Sequence, residues 1–437
     1  MCSSLLKMIS NFEKLKKQEA IKVLSDLHNK GDFDFLLKLA KRFVEKYPGN
    51  VNGLNILAIA NKRLGNFYKA KEIFEFIIKQ SNKPQAFLFS NLANLFFDLG
   101  KIDDSIVNHK KALEIEPNNL NSISGMGLSL SEKGNEEEAV KWFKKSYKIN
   151  PIDDGINFNL ATSLRKLRKF DEAAFHYSKS KKRLSKSFQL ECIYQSSSKS
   201  TSDFYDLVDE LNAMPLDPLA ACLTKHASIR YSKEDKYSFC SEPFKMIKKY
   251  SLFEDNSIDK NIIDDFLEEV EQSKISMKHQ SLLNRGIQSA GNLFLLESPA
   301  IIKMKEVINE KIKIYKDEFS ESDDGFLKKW PNEFIIHGWL VVINDGGNLK
   351  PHMHKEGWLS SSIYLKRPNK KSDNDGDLMF SLHGADYETD GISFPEKIYE
   401  INEGDIVMFP SSLFHSTIPF KSNKKRITLA FDVIPIN

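Results

Sequence analysis

The sequence predicts an α+β multidomain protein, in which an N-terminal α-solenoid precedes a C-terminal antiparallel jelly-roll (double-stranded β-helix) braced by helices. Two observations support this fold class. A motif returns about every 34 residues through the first half of the chain, as in arrays of stacked helix pairs. After Trp330, helical periodicity gives way to short β-branched and aromatic runs, which are typical of antiparallel strands.

Composition narrows the class of protein. The chain has 437 residues, of which 41% are apolar and 28% charged, so we expect a globular protein of two or three domains. Lys and Arg total 63 against 60 Asp and Glu, and this near-balance argues against a dedicated nucleic-acid-binding protein. The apolar run at residues 334–343 is about half as long as a membrane helix, which predicts no membrane partner.

The cysteines and the N-terminal residues predict a cytoplasmic location. The opening MCSSLLKMIS lacks the apolar core of a secretory signal. Cys2, Cys192, Cys222 and Cys240 are widely spaced and form no CxxC motif. We therefore expect reduced, mostly buried thiols.

Glycines mark the repeat in the N-terminal half. Gly31, Gly65, Gly100 and Gly134 stand 34, 35 and 34 residues apart, and Arg168 occupies the next equivalent position. Small residues follow five positions later, at Ala70, Ser105, Ala139 and Ala173, and prolines follow seventeen positions later, at Pro48, Pro117 and Pro151. Glycine ends the first helix of each pair, the small residue lets two helices approach, and proline stops the second helix.

This pattern resembles the tetratricopeptide repeat, with five units over about residues 18–185. The resemblance predicts a repeat domain at residues 1–185 whose curved groove binds a peptide or partner protein. A purely structural or dimerising role is the alternative. Core packing accounts for the repeated residues themselves, including Phe74 and Phe143, which we expect to wedge between neighbouring helices.

The middle of the chain predicts helices. A Ser-rich break at Ser196–Asp203 lies within a helical linker at residues 186–239, and the third domain spans residues 240–437. Two further helical runs, at residues 258–273 and 298–319, are expected to cover a sheet. The acidic cluster between Asp264 and Glu271 is interpreted as a solvated helix face.

Candidate strands in the last domain are FIIHGWLVVI, WLSSSIYLK, GDLMFSL, KIYEI, DIVMFP, FHSTIPF and RITLAFDVI. Five histidines lie among them. His352 and His354, in PHMH, are two residues apart, so an extended backbone points both imidazoles to one side. His415 begins a later strand and completes a three-histidine metal site if the strands are neighbours. His337 and His383 are interpreted as a strand and a loop histidine outside the ligand set.

These runs resemble the 2-oxoglutarate- and iron(II)-dependent dioxygenases, in the branch related to prolyl 4-hydroxylases. The matching segments are WLVVINDGGNLKPHMHKEGWLSSSIYLKRP, GDLMFSLHG and EGDIVMFPSSLFHSTIPFKSNKKRITLAFDVI, over about residues 240–437. The resemblance implies that iron(II), 2-oxoglutarate and O2 meet at His352, His354 and His415, with no catalytic residue beyond the metal ligands. It also implies that Arg426 pairs with the far carboxylate of 2-oxoglutarate, since a planar guanidinium binds a carboxylate bidentately.

Two neighbours complete the implied cosubstrate site. Thr428 lies two residues after Arg426, hence on the same face, where its hydroxyl adds a hydrogen bond. Tyr364 resembles a tyrosine that touches the cosubstrate in related enzymes. A structural salt bridge or a strand-end charge in the basic turn KSNKKR is the alternative role for Arg426.

The metal triad departs from the family pattern, because His354 stands where a carboxylate is expected. Either His352, His354 and His415 form an all-histidine triad, or His354 and Glu356 form the His-x-Glu pair of a two-histidine, one-carboxylate set. We favour the first, because Glu356 adjoins Gly357 and the chain is expected to turn away there.

The function implied is hydroxylation of a peptide or protein side chain, with the repeats docking the substrate or a partner. A tetratricopeptide scaffold with a metal-binding jelly-roll that is not a 2-oxoglutarate oxygenase is the alternative. Another metal-dependent jelly-roll enzyme that does not use 2-oxoglutarate is less consistent with Arg426, eleven residues after His415.

Overall fold

The structure is a computed structural model, and its chain divides into two compact units, residues 1–182 and 183–437. We call them the repeat unit and the sheet unit. The residues described are 12–253, 261–273, 275, 277–296 and 298–436. The domain bounds of the sequence analysis stay a prediction.

The repeat unit consists of helices that pack against their neighbours in chain order. Its described helices are α1 (Lys17–Lys30), α2 (Phe33–Lys46), α3 (Val51–Arg63), α4 (Phe67–Gln80), α5 (Ala86–Asp98), α6 (Ile102–Ile115), α7 (Leu120–Glu132), α8 (Glu136–Ile149), α9 (Asp154–Lys166) and α10 (Phe170–Lys179). They form five pairs, which confirms the predicted solenoid. The ring of Phe143 lies so close to Gly127 that a Cβ there would be 2.6 Å from it, as expected of a wedging aromatic.

The repeated glycines end the first helix of each pair in the left-handed conformation. Gly31, Gly65, Gly100 and Gly134 have φ values of 76°, 80°, 71° and 80°. Arg168, at the fifth equivalent position, also has a positive φ, of 57°. The left-handed region disfavours a side chain with a Cβ, so the fifth repeat retains the turn at a conformational cost.

The sheet unit contains the remaining helices and the described strands. The helices are α11 (Ser185–Gln195), α12 (Thr201–Asn212), α13 (Pro218–Arg230), α14 (Ile262–Gln272), α15 (Pro299–Glu318) and α16 (Gly325–Lys328). The strands are β1 (Lys248–Ser251), β2 (Met277–Lys278), β3 (Leu283–Ser289), β4 (Phe334–Leu349), β5 (Leu359–Lys366), β6 (Leu378–Ser381), β7 (Glu396–Tyr399), β8 (Asp405–Pro410), β9 (Phe414–Thr417) and β10 (Arg426–Pro435).

The strands form two antiparallel sheets, in agreement with the predicted jelly-roll. The larger has the order β1-β8-β5-β10-β4-β3-β2, and the smaller has the order β7-β6-β9. Tyr364, Phe380 and Phe409 belong to one apolar cluster that joins the two sheets. The sequence analysis did not predict β1, β2 and β3, because these short strands lie between strongly periodic helices.

Helices cover the larger sheet through one continuous core. Leu190 of α11, Phe204 of α12 and Met304 of α15 share this core with Leu359 and Phe431 of the sheet. The helices of the predicted linker therefore pack with the strands. One apolar residue of α15 is exposed, since Ile302 retains 48% of its accessible surface.

The hydropathy of the helices and the burial of the cysteines bear on the environment of the chain. Among the residues described, no helix combines the length and the apolar character needed to cross a membrane. Cys192, Cys222 and Cys240 are buried and form no disulfide bond among the described residues, as expected. Cys2 lies outside the described residues.

Replacing Arg168 with glycine is expected to stabilise the repeat unit by about 1 kcal/mol, because glycine adopts a positive φ without steric cost. Urea unfolding followed by helical circular dichroism measures the change. Gly134→Ala is the matched control and should destabilise by about the same amount, since a Cβ there meets no atom within 4 Å and only the backbone is strained. An Arg168→Gly variant no more stable than the parent would contradict this account of the fifth turn.

Candidate metal and anion site

A short backbone bridge brings the predicted histidines together. His352 and His354 lie in the loop between β4 and β5, whereas His415 lies on β9 of the smaller sheet. The amide of His352 donates to the carbonyl of His415 at 3.1 Å, and the amide of His415 donates to the carbonyl of His352 at 2.9 Å. This reciprocal pair anchors the loop to the sheet, so the side chains project into one space.

The three imidazoles are close enough to share one ion. One ligand atom from each of His352, His354 and His415 lies within 4.8 Å of the others. The Nε2 atoms of His352 and His354 are 3.2 Å apart. The ring centroids of His352 and His415 are 4.2 Å apart.

The second nitrogen of each ring indicates which atom is available to a metal. Nδ1 of His352 lies 2.9 Å from the carbonyl of Lys350, and Nδ1 of His415 lies 3.3 Å from the carbonyl of Leu413. A carbonyl oxygen only accepts, so these Nδ1 atoms carry the proton. Their Nε2 lone pairs then face the other rings, an arrangement that suits a cation with nitrogen ligands. The donor set therefore fits a transition metal.

Burial keeps two of the rings in the form that binds metals. Desolvation lowers the pKa of His352 to about 3, and the neighbouring His354 adds to this effect. Desolvation also holds the pKa of His415 well below its ordinary value, with His352 and His354 contributing. Neutral imidazoles are the ligating species.

The third ring has a carboxylate partner that the sequence analysis missed. Nδ1 of His354 lies 2.7 Å from Oδ1 of Asp432, on β10. Asp432 is buried, and an acidic residue inside the apolar run LAFDVI was the signal that could have identified it. Glu356, the alternative ligand, is exposed and lies outside the three-residue group.

Arg426, Thr428 and Tyr364 come together beside the triad. Thr428 pairs with Tyr364 across β10 and β5, and Nη1 of Arg426 donates to the Thr428 hydroxyl at 2.8 Å. The guanidinium carbon lies 4.9 Å from the centre of the Tyr364 ring. Burial raises the pKa of Tyr364 to about 12, so its phenol remains a neutral group.

Arg426 is a buried cation held by neutral acceptors. Only 3% of its surface is exposed, and Nε donates to the carbonyl of Gly376 at 3.2 Å. Among the described residues no carboxylate forms an ion pair with it, because Asp377 is engaged by Arg367 and Lys370. Burial lowers the pKa of Arg426, which shows that the charge is desolvated. An anion bound here would offset that cost.

The triad and Arg426 line one cavity of about 440 Å³. Trp339 forms part of its wall, and the ring centroids of Trp339 and His354 are 5.5 Å apart. His337 also lines the cavity but belongs to no metal-binding group among the described residues. His383 faces elsewhere, since its Nδ1 is 3.0 Å from Nε2 of His226.

A buried acid on a bracing helix holds the loop that carries the histidine pair. Lys355, which follows His354, places Nζ 2.7 and 2.9 Å from the two carboxylate oxygens of Glu191 on α11. The Tyr387 hydroxyl donates to the same carboxylate at 2.8 Å. Sequence reasoning missed these contacts, because Lys355 and Tyr387 follow Glu191 by 164 and 196 positions.

Comparison with known proteins finds a matching family model within each half of the chain. Residues 337–432 match the family described as "Putative 2OG-Fe(II) oxygenase", and these bounds include the histidines and Arg426. Residues 122–153 match the tetratricopeptide repeat. The resemblances inferred from the sequence are thereby confirmed as matches: a tetratricopeptide repeat match is followed by a match to this 2-oxoglutarate/iron(II) oxygenase family.

Individual relatives resemble parts of the chain. The "Protein CTR9 homolog" of Arabidopsis thaliana is 30% identical over 92 residues, which is 20% of this chain and 8% of that protein. The "Small glutamine-rich tetratricopeptide repeat-containing protein 2" of Mycosarcoma maydis is 32% identical over 79 residues, 18% of this chain and 22% of that protein. The chain thus spans less than a quarter of these relatives.

A solved structure also resembles part of the chain. A thermophilic tetratricopeptide repeat protein from Thermus thermophilus has 18% sequence identity and a TM-score of 0.36, over 45% of this chain and 98% of that one.

His415→Ala is expected to abolish iron(II) binding, because it removes one of three converging nitrogen ligands. His352→Ala should have the same effect, whereas Glu356→Gln should retain most of the affinity. Anaerobic equilibrium dialysis measures the bound iron, and melting curves show whether each variant is folded. The reverse ranking of Glu356→Gln and His352→Ala would assign the site to His354, Glu356 and His415.

Proposed function

We propose that the protein is a 2-oxoglutarate- and iron(II)-dependent dioxygenase that hydroxylates a side chain of a peptide or protein. The observation that carries the proposal is one cavity lined by three converging imidazoles and by a buried arginine without a carboxylate partner among the described residues. The match to the oxygenase family over residues 337–432 supports it.

The proposed hydroxylation requires both the three imidazoles and the buried arginine. Iron(II), when bound, would supply the activation of O2, the oxidant that converts one substrate C–H bond and 2-oxoglutarate to a C–OH group, succinate and carbon dioxide. His352, His354 and His415 would hold the metal on one face, with their Nδ1 atoms bonded so that each ring keeps its orientation. The opposite face is left to small-molecule ligands.

Arg426 would bind the far carboxylate of 2-oxoglutarate. Its Nε and Nη1 donate to Gly376 and Thr428, and these contacts fix the plane of the guanidinium. The Tyr364 side chain interacts with Arg426 and lines the same cavity, so it would lie beside the bound carboxylate. A buried cation strengthens such pairing, because water does not compete for its donors.

We assign the substrate to the peptide or protein class on architectural grounds. Stacked helix pairs commonly bind extended segments of other proteins, and the repeat unit precedes the oxygenase domain in this chain. The repeat groove would therefore dock the substrate or a partner that delivers it. A cytoplasmic location remains the prediction from sequence.

Arg426→Ala is expected to weaken 2-oxoglutarate binding about 30-fold to several-thousand-fold, as for loss of one partner of a desolvated charge pair. Arg426→Lys should recover only part of the affinity, because an ammonium cannot form two parallel hydrogen bonds. Titrating the anaerobic iron(II) protein with 2-oxoglutarate measures affinity through the visible charge-transfer band of the chelate.

Lys425→Ala is the matched control, since Lys425 is an adjacent exposed cation. We expect its affinity for 2-oxoglutarate to change less than about twofold, as for weak surface ion pairs. If both alanine variants change the affinity equally and only slightly, Arg426 does not bind the carboxylate of 2-oxoglutarate and is only a charge at the end of a strand. Iron binding by the parent without a chelate band would instead support the scaffold with a metal-binding jelly-roll.

Incubating the protein with a peptide pool, iron(II), O2 and 2-oxoglutarate is expected to yield peptides heavier by one oxygen atom. Mass spectrometry identifies these peptides and the modified residue. The His415→Ala variant is the control and should produce none. Oxidised peptides at equal yield with both proteins would show that free iron, and not this site, is responsible.

A further inference from the structure

Asp432 is a carboxylate on β10, a strand that is otherwise mainly apolar. Only 6% of its surface is exposed, and it lines the cavity that holds the triad. Its Oδ1 lies 2.7 Å from Nδ1 of His354 and 2.7 Å from the hydroxyl of Ser360. Burying a carboxylate costs free energy unless hydrogen bonds or an opposite charge compensate for the lost water.

The surrounding residues hold this carboxylate in place. Asp432 is paired in register with Ser360 on β5, so the backbone ladder sets their separation. The hydroxyls of Ser411 and Ser360 are 2.7 Å apart and form a hydrogen bond. Gly357 completes the packing, because a Cβ there would be 2.8 Å from Oγ of Ser411 and 3.0 Å from Cγ of Asp432.

His354 therefore differs from the other two histidines in its partner. His352 and His415 have backbone carbonyls at Nδ1, which are neutral, whereas His354 has a carboxylate. A carboxylate partner fixes the Nδ1–H tautomer, leaving Nε2 for the metal, and also makes the imidazole more electron-rich. With His354 neutral, as a metal ligand must be, and Asp432 as a carboxylate, the pair would contribute one negative charge.

We propose that Asp432 is a positioning residue that gives the all-histidine site the negative charge normally provided by a carboxylate ligand. The inference rests on the proposed metal site and extends it. Three neutral imidazoles leave the full charge of a divalent ion uncompensated, whereas a His–Asp pair lowers the total charge by one. The charge acts through the imidazole ring, so the inner set of ligands remains three nitrogens.

Two substitutions separate the charge from the hydrogen bond. Asp432→Asn keeps the size and an oxygen acceptor but removes the charge, and Asp432→Ala removes both. Asp386→Asn is the matched control, because Asp386 is exposed and is not among the residues that line the cavity. Cobalt(II) is the probe, since its visible bands report binding without turnover.

We expect Asp432→Asn to weaken cobalt(II) binding about tenfold to hundredfold, as for outer partners of metal-binding histidines. Asp386→Asn should change the affinity less than about twofold. Long-range 1H–15N spectra of the metal-free protein, labelled at histidine, should show the Nδ1–H tautomer for His354 in the parent and a tautomer mixture in Asp432→Ala.

The outcomes distinguish this inference from the proposed function. A parent protein with no affinity for cobalt(II) would refute the metal site itself. A parent that binds cobalt(II), with Asp432→Asn binding equally well, would overturn the role of Asp432 alone. If Asp432→Ala does not fold, the near-isosteric Asp432→Asn variant and the spectra of the parent still decide the question.

Discussion

The reciprocal backbone bond between His352 and His415 is the contact on which the site depends. It ties the loop after β4 to the smaller sheet at the point where three ligand atoms approach within 4.8 Å. Each ring is then oriented by an acceptor at Nδ1, and these acceptors belong to the loop, to the turn before β9 and to β10. Buried surroundings keep the His352 and His415 rings neutral, so the site is prepared for a cation before one binds.

The Arg426 side of the cavity has the opposite electrostatic character, because the guanidinium is a cation and offers no lone pair. Arg426 places a full positive charge in a buried location. Its hydrogen bonds there go to neutral oxygens of Thr428 and Gly376, which do not compensate the charge. A cavity with imidazole lone pairs at one place and a guanidinium at another suits a ligand that chelates a metal and ends in a carboxylate. The same chemistry explains why arginine, and not lysine, suits this strand.

The sequence by itself determined the features that depend on local periodicity and spacing. Gly31 and its equivalents predicted the solenoid because a left-handed turn favours glycine at each repeat. PHMH predicted a ligand pair because an extended backbone places alternate side chains on the same side. The strand pattern added His415 to that pair, and the family resemblance added Arg426. These inferences needed only positions along the chain.

Tertiary structure decided the features that depend on long-range pairing. The structure leaves Glu356 exposed and outside the group of three converging histidines, and the all-histidine set stays a prediction. Asp432 and Glu191 escaped notice because register and helix packing, not spacing, bring them to His354 and Lys355. The periodicity of a helix or strand can be read from a single sequence. The partner of a buried charge cannot, because it depends on which elements lie side by side in the fold.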